Sequence, residues 1–131
     1  MSMGWTTDYV YGFASTDPQD IALAIHEDSL DDVDAQTFPQ LPAQIAALDT
    51  LRHQIQAATS VIIQGCAAGD WCEGEYDGMA LGVVVPSQVF GDPLAFLALQ
   101  AQLAPYLDAI RAILRAPEDS VPALHTIQSF G

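Results

Sequence analysis

Two sets of residues alternate along positions 5–14 of the chain. The odd positions are mostly aromatic, with Tyr9, Tyr11 and Phe13 following Trp5, and the even positions are smaller. A period of two that includes aromatic residues predicts a β-strand with one aromatic face. Packing into the core is the favoured interpretation of that face, and an aromatic platform for a ligand or partner is the alternative.

A short helix is predicted after this strand. Asp17 is a good N-cap, and Pro18 suits the first helical turn because its missing N–H costs nothing there. Ile21 and Ile25 then lie close on one helical face. The same residues also alternate with Leu23 between them, as they would in a strand, but the capping signal favours the helix.

Two longer helices are predicted farther along the chain. Apolar residues recur at three- and four-residue steps over 41–59, which indicates one amphipathic helix. The segment 93–115 has the strongest helical pattern, and Asp92 before a proline repeats the capping signal. Pro105 should kink this helix or split it in two, because proline lacks the N–H of an internal helical hydrogen bond.

Three further strands are predicted between these helices, at 60–65, 71–76 and 79–85. Asp77 followed by Gly78 separates the last two strands. This pair is typical of a type I′ hairpin turn, in which both central positions favour positive φ. We therefore expect the hairpin to reverse direction at this pair.

Together these elements predict one α+β domain over residues 1–131. It should have two layers, an antiparallel sheet of about four strands with two longer helices packed on one face. The tail after residue 115 contributes only weak signals. No apolar run approaches the roughly 18 residues of a membrane helix, so we expect no membrane interaction.

The net charge of the chain is −14, from 17 acidic and 3 basic residues. The bases are Arg52, Arg111 and Arg115, and lysine is absent, so the protein is acidic mainly because bases are missing. Charged residues make up 15% of the chain, against about 25% in an average domain. Direct nucleic-acid binding is not expected, because neutralising phosphates requires Lys or Arg. A protein with a basic surface would instead be attracted.

The predicted functional surface is the stretch 65–85, which combines glycines, carboxylates, both cysteines and a tryptophan between two apolar runs. Glycine allows the backbone to turn sharply or to approach another group closely. A second acidic run, over 27–34, has five carboxylates in eight positions and is most simply a solvated loop. The candidate binding residues from the two regions are Asp70, Trp71, Glu73, Glu75 and Asp77, with Asp31, Asp32 and Asp34.

No metal or cofactor site is predicted. Glu73, Glu75, Asp77 and Gly78 resemble the opening of a calcium loop, but its twelfth position is Val84, where a bidentate Glu is required. The spacing of the two cysteines is not that of a zinc pair, and two cysteines do not make a disulfide framework. We expect free thiols and a cytoplasmic location.

The sequence leaves the enzyme question open and favours a non-catalytic role, because it contains no phosphate-binding loop, dinucleotide fingerprint, nucleophile elbow or HExxH motif. We predict a small acidic module that binds another protein, as its inhibitor or neutralising partner. One alternative is a small-ligand enzyme in which Glu73 and Glu75 act as paired carboxylates on one strand face. Trp71 and Asp77 would complete that site. The other alternative is a ligand-binding domain whose pocket is lined by Tyr9, Tyr11, Phe13 and Trp71.

The segment 93–115 also predicts self-association. Leu94 and Leu97 fall outside its main apolar stripe, so its first half is apolar nearly all round. Exposed apolar patches on monomers are usually small, and we therefore expect a homodimer with this helix near the two-fold axis. The alternative is a helix buried within its own domain.

Overall fold

The computed structural model describes residues 4–26 and 36–130. These residues form an α+β fold whose four strands are mostly antiparallel, which confirms the predicted fold class. The elements in chain order are β1 (Trp5–Ser15), α1 (Pro18–His26), α2 (Leu41–Ala58), β2 (Ile63–Asp70), β3 (Glu75–Val84), a first 3₁₀ turn (Ser87–Gly91), α3 (Pro93–Leu103), a second 3₁₀ turn (Ala104–Tyr106), α4 (Leu107–Ile113) and β4 (Ala123–Phe130).

The sheet has the strand order β4-β1-β3-β2, and neighbours in that order are antiparallel. The two outer strands then meet in a short parallel pairing, in which Gly69 lies opposite Ser129 and Asp70 lies opposite Phe130. The sheet therefore closes on itself. This closure was not predicted, and neither was β4, which lies in the tail with weak sequence signals.

One face of the sheet carries the main hydrophobic core. Phe13, Ile63 and Leu81 from three strands are buried together with Leu48 of α2 and Ile110 of α4. Each fully buried side chain of this size contributes about 1.5–3 kcal/mol. The core therefore holds the sheet against α2 and α4.

The other face of the sheet is lined by small residues, with Ala80 and Ile127 in its buried cluster. Gly12 of β1 lies directly opposite Gly82 of β3. A Cβ atom at Gly82 would stand 2.0 Å from the carbonyl oxygen of Tyr11, far inside van der Waals contact. The two backbones approach this closely because neither position has a side chain.

A buried polar network joins the helices to β1. The Asp20 carboxylate is buried and accepts hydrogen bonds from the Ser15 hydroxyl at 2.6 Å and from Gln44 Nε2 at 2.9 Å. The same amide nitrogen donates to the carbonyl oxygen of Ile113 at 2.9 Å. Buried polar groups are costly unless they are hydrogen-bonded, so the network fixes α1 and α2 relative to the end of α4.

The local helix signals are confirmed. Asp17 Oδ1 accepts from the backbone N–H of Gln19 at the start of α1, and the side chain of Asp92 caps α3 in the same way. The predicted helix over 93–115 is split at Pro105, where a 3₁₀ turn separates α3 from α4. The missing N–H of this proline explains the break.

The predicted position of the hairpin turn is wrong. The turn occupies 71–74, so the strand expected over 71–76 is absent, and Asp77 and Gly78 lie inside β3. Gly78 pairs with Ala68 of β2 and has no positive φ. The turn forms earlier because of Asp70 and Gly74. The side chain of Asp70, just before the turn, accepts a hydrogen bond from its backbone, and Gly74 at its end adopts the left-handed conformation (φ 69°).

Candidate binding surface

The turn between β2 and β3 is fixed at both ends. Oδ1 of Asp70 accepts hydrogen bonds from the backbone N–H groups of Cys72 at 3.0 Å and Glu73 at 3.2 Å. The N–H of Trp71 donates to the carbonyl oxygen of Phe130 at 2.8 Å, which ties the turn to the end of β4. The turn is therefore an ordered part of the fold and can present its side chains in a defined geometry.

Trp71 lies at the start of this turn and is half exposed, at 51% of its full area. Its indole Nε1 donates to the carbonyl oxygen of Ala67 at 3.4 Å. Its ring packs edge to face on Tyr76, with the ring centroids 6.0 Å apart. These two contacts position the indole and leave about half of its surface free for a partner.

Carboxylates lie on both sides of this tryptophan in the sequence. The side chains of Glu73, Glu75 and Asp77 are exposed, whereas the carboxylate of Asp70 is partly buried and serves the turn. Glu75 lies opposite Asp70 at the start of β3, and Asp77 lies at an irregularity where the pairing with β2 shifts between Ala68 and Gly69. The region from Asp70 to Asp77 contains no basic residue, and we call it the acidic segment (70–77).

The pairing of Glu73 with Glu75 that supported an enzyme is not formed as predicted. It required both residues to lie in one strand, but Glu73 belongs to the turn and Glu75 begins β3. Strand alternation therefore does not place their carboxylates on a common face.

The acidic segment borders a cavity of about 380 Å³ that also reaches α1. Gly74, Tyr76 and Asp77 line it on one side, and His26 and Phe38 line it on the other. The second acidic run lies in the sequence between His26 and Phe38, and its candidates Asp31, Asp32 and Asp34 lie outside the described residues. The two acidic regions of the sequence are thus connected to the walls of one cavity.

The aromatic pocket proposed from the sequence is not assembled. The side chains of Tyr11 and Phe13 are buried in the main core, as the favoured interpretation of their strand predicted. Tyr9 packs on Phe90, with ring centroids 5.0 Å apart. Trp71 belongs to the turn at the other end of β3.

His125 is the residue of chemical interest that the sequence analysis missed, because β4 itself was missed. It lines a cavity of about 520 Å³ together with Ser15, Asp77 and Thr126. Its Nε2 lies 3.3 Å from the carbonyl oxygen of Gly12, so one nitrogen of the imidazole ring already has a partner in the sheet. A single histidine among hydroxyls and a carboxylate does not define a reaction.

Within residues 4–26 and 36–130, no group of three or more His, Cys, Asp or Glu side chains is arranged to hold a metal ion. Neither cysteine forms a disulfide; Cys72 lies in the exposed turn and Cys66 is partly buried in β2. Two of the three arginines are engaged away from the acidic segment: Arg52 donates to the carbonyl of Ile63, and Arg111 donates to that of Ala116.

Comparison with known proteins found no match to this chain among protein-family models, curated proteins or solved structures. In the part of the chain that the structure describes, no helix has the length and apolar character to cross a bilayer. The assignment of function therefore depends on the geometry and charge of the surfaces described above.

Proposed function

We propose that this protein is a non-catalytic acidic module that binds a protein with a basic surface through the acidic segment (70–77), and so inhibits or neutralises that partner. The observation that carries the proposal is a half-exposed tryptophan, held by Ala67 and Tyr76, in a segment whose other exposed side chains include three carboxylates. Tryptophan is among the residues that most often dominate binding energy at protein interfaces. Its ring face also attracts arginine through cation–π contact.

Electrostatics supports a basic partner. The whole chain carries a charge of −14, and an opposite charge on the partner would be steered toward it before contact. Glu73, Glu75 and Asp77 are exposed and would act mainly on the association rate. Trp71 would become buried at the centre of the contact and would act mainly on the dissociation rate.

The second acidic run extends the same proposal. Its candidates Asp31, Asp32 and Asp34 lie in the sequence between His26 and Phe38, and those two residues line the same cavity as Asp77. Their carboxylates would widen the negative field around the acidic segment. Changing these three residues to Asn should slow association and flatten its dependence on salt.

The test measures binding through the intrinsic fluorescence of Trp71. Because the chain has two tryptophans, the Trp5→Phe background leaves the fluorescence of Trp71 alone. Titration with an arginine-rich peptide should change this fluorescence, and stopped-flow mixing should give an association rate that falls as salt is added. The combined variant Glu73→Gln, Glu75→Gln and Asp77→Asn should lower that rate about tenfold or more at low salt. A peptide with glutamine in place of each arginine should not bind.

The matched control removes the same amount of charge elsewhere. Asp108, Glu118 and Asp119 are exposed carboxylates on α4 and in the segment after it, and their amide variants should change the association rate much less. Equal effects of the two triple variants would mean that only net charge matters, with no defined surface. Binding that is independent of salt would overturn the electrostatic proposal itself.

Another copy of this chain remains a predicted partner as well. The acidic segment does not suit that contact, because two copies would bring like charges together. Any self-association must therefore use a surface with little charge.

A further inference from the structure

The first turns of α3 expose apolar side chains that the rest of the molecule does not cover. Leu94 is exposed to 76% and Leu97 to 59% of their full areas. On the same helix Phe96 and Leu99 pack against the main core, and Leu103 is completely buried. The helix is thus apolar both toward the core and toward solvent, as its sequence indicated.

An open apolar groove of about 560 Å³ runs beside this helix. Ala95 and Ala98 of α3 form one wall, and Val89 and Ile62 contribute to the others. Ile62 is itself 59% exposed. The protruding leucines and the groove therefore belong to one surface, which we call the α3 surface (Ile62, Val89, Leu94, Ala95, Leu97 and Ala98).

The α3 surface lies in the least charged part of the chain. Between Gly78 and Leu107 the only residue that is charged at neutral pH is Asp92. Its Oδ1 accepts from the backbone N–H groups of Leu94 at 3.1 Å and Ala95 at 3.2 Å, so this carboxylate is committed to the start of α3. A charged partner would find little to pair with here.

We propose that the α3 surface is the two-fold interface between two copies of this chain. At a net charge of −14, two copies repel each other over most of their surfaces. They can approach most easily through a neutral, apolar face, and each copy has one. The surface also combines two exposed leucines (Leu94 and Leu97) with a groove, so in the proposed two-fold contact each copy offers apolar side chains and an apolar groove to the other.

A membrane fits this surface less well than a second copy. Helices that lie on membranes carry Lys or Arg on their polar side, but Pro93–Leu103 contains neither. The anionic lipids of a cytoplasmic leaflet would also repel a protein of charge −14. An apolar surface of another protein is the remaining alternative, which the experiment separates from the dimer.

The dimer would leave both acidic segments free. Glu75 begins β3 at the acidic segment, and Val84 ends the strand at a wall of the groove. Ten residues of strand separate the two surfaces by roughly 30 Å. A dimer through α3 would therefore present two distant binding sites of the kind proposed above, although the dimer itself does not depend on that proposal.

Sedimentation equilibrium of the full chain at low and moderate salt tests the interface. The wild type should be a dimer at tens of micromolar, and the dimer should tighten as salt rises because salt screens the repulsion between the copies. The double variant Leu94→Glu and Leu97→Glu should raise the dissociation constant about 100-fold or more, because a two-fold interface loses each side chain twice. Val121→Glu is the matched control, since Val121 is equally exposed (77%) but outside the α3 surface. It should leave the dimer unchanged.

Far-UV circular dichroism and the urea midpoint should show that all variants fold like the wild type. The double variant should still bind the arginine-rich peptide as well per chain as the wild type, so failure of the dimer and failure of the binding function can be told apart. A wild type that is monomeric in both buffers overturns the proposal and leaves another protein as the occupant of the α3 surface. A double variant that remains dimeric overturns it as well, because the interface would then lie elsewhere.

Discussion

The Gly12–Gly82 pair provides the sharpest test of the fold. In Gly82→Ala the new Cβ would lie 2.0 Å from the carbonyl oxygen of Tyr11 and 2.9 Å from Cα of Gly12. An ordinary contact with that oxygen needs about 3.4 Å or more, so the strands would have to separate by over an ångström. The obstacle is backbone, which cannot rotate away as a side chain can. Separation would break the β1–β3 pairing on which the closed sheet depends.

The expected cost follows from two opposing effects. Inserting atoms into a packed interior costs about 1–3 kcal/mol and sometimes more, and a backbone obstacle places Gly82→Ala at or above the top of that range. Alanine restricts the unfolded chain more than glycine does, and this effect alone would stabilise the folded state by about 0.4–1 kcal/mol. We expect a net loss of at least about 2 kcal/mol in the free energy of unfolding. With a urea dependence of about 1–3 kcal/mol per molar, the midpoint should fall by about 0.7 M or more.

Urea denaturation followed by far-UV circular dichroism measures this loss. The matched control is Gly91→Ala in the first 3₁₀ turn, where the Cβ would meet no atom within 4 Å. Its midpoint should stay the same or rise slightly. Gly12→Ala should behave like Gly82→Ala, because its Cβ would lie 2.1 Å from the carbonyl oxygen of Leu81. Midpoints for Gly82→Ala and Gly91→Ala that agree within error would refute the close pairing of β1 and β3.

Two further predictions concern the buried network and the thiols. Asp20→Ala should lower the free energy of unfolding by about 1–3 kcal/mol, because the amide of Gln44 loses a buried acceptor, whereas Asp119→Ala at an exposed site should change it by less than about 0.5 kcal/mol in the same denaturation assay. A thiol reagent with a coloured product should react with Cys72 in the exposed turn faster than with Cys66, which is partly buried in β2. Cys72→Ser should remove the fast phase, and a fast phase that survives this change would contradict the placement of the two thiols.

The elements that the sequence predicted correctly are those with local signals. The N-caps at Asp17 and Asp92 and the break at Pro105 act through their own backbone neighbours. They could therefore be identified without knowing the fold. The alternation of aromatic residues was likewise sufficient to predict strand β1. The interpretation that its aromatic face packs into the core is confirmed for Tyr11 and Phe13.

The elements that were missed depend on distant partners. Asp77 followed by Gly78 has the composition of a turn, but Gly78 is held in β3 by its pairing with Ala68. The end of β2 is rich in glycine and alanine and has no β-branched residue to indicate a strand. β4 contains Thr126, Ile127 and Phe130 but no regular alternation of apolar and polar residues, and its pairing with β1 decides its structure.

The local geometry predicted for the candidate surface was wrong, and its binding role stays a prediction. The stretch around Trp71 was identified from its composition, and the structure places this residue half exposed in an ordered turn. The relation of Glu73 to Glu75 could not be deduced, because it depends on where the turn begins. That position is fixed by Asp70, whose side chain binds two backbone N–H groups.

The pairing of β1 with β4 has a consequence for the time course of synthesis. The two strands pair from Trp5 opposite Phe130 to Gly12 opposite Ala123, whereas β1 pairs with β3 only from Val10 onward. A ribosome adds about 5–20 residues per second, so the first half of β1 waits roughly 6–25 s for its partner strand to be made. During that interval an aromatic strand edge is open to other chains in the cell. The growing chain therefore has a period of vulnerability that the finished protein does not, and chaperones that bind aromatic segments would act within it.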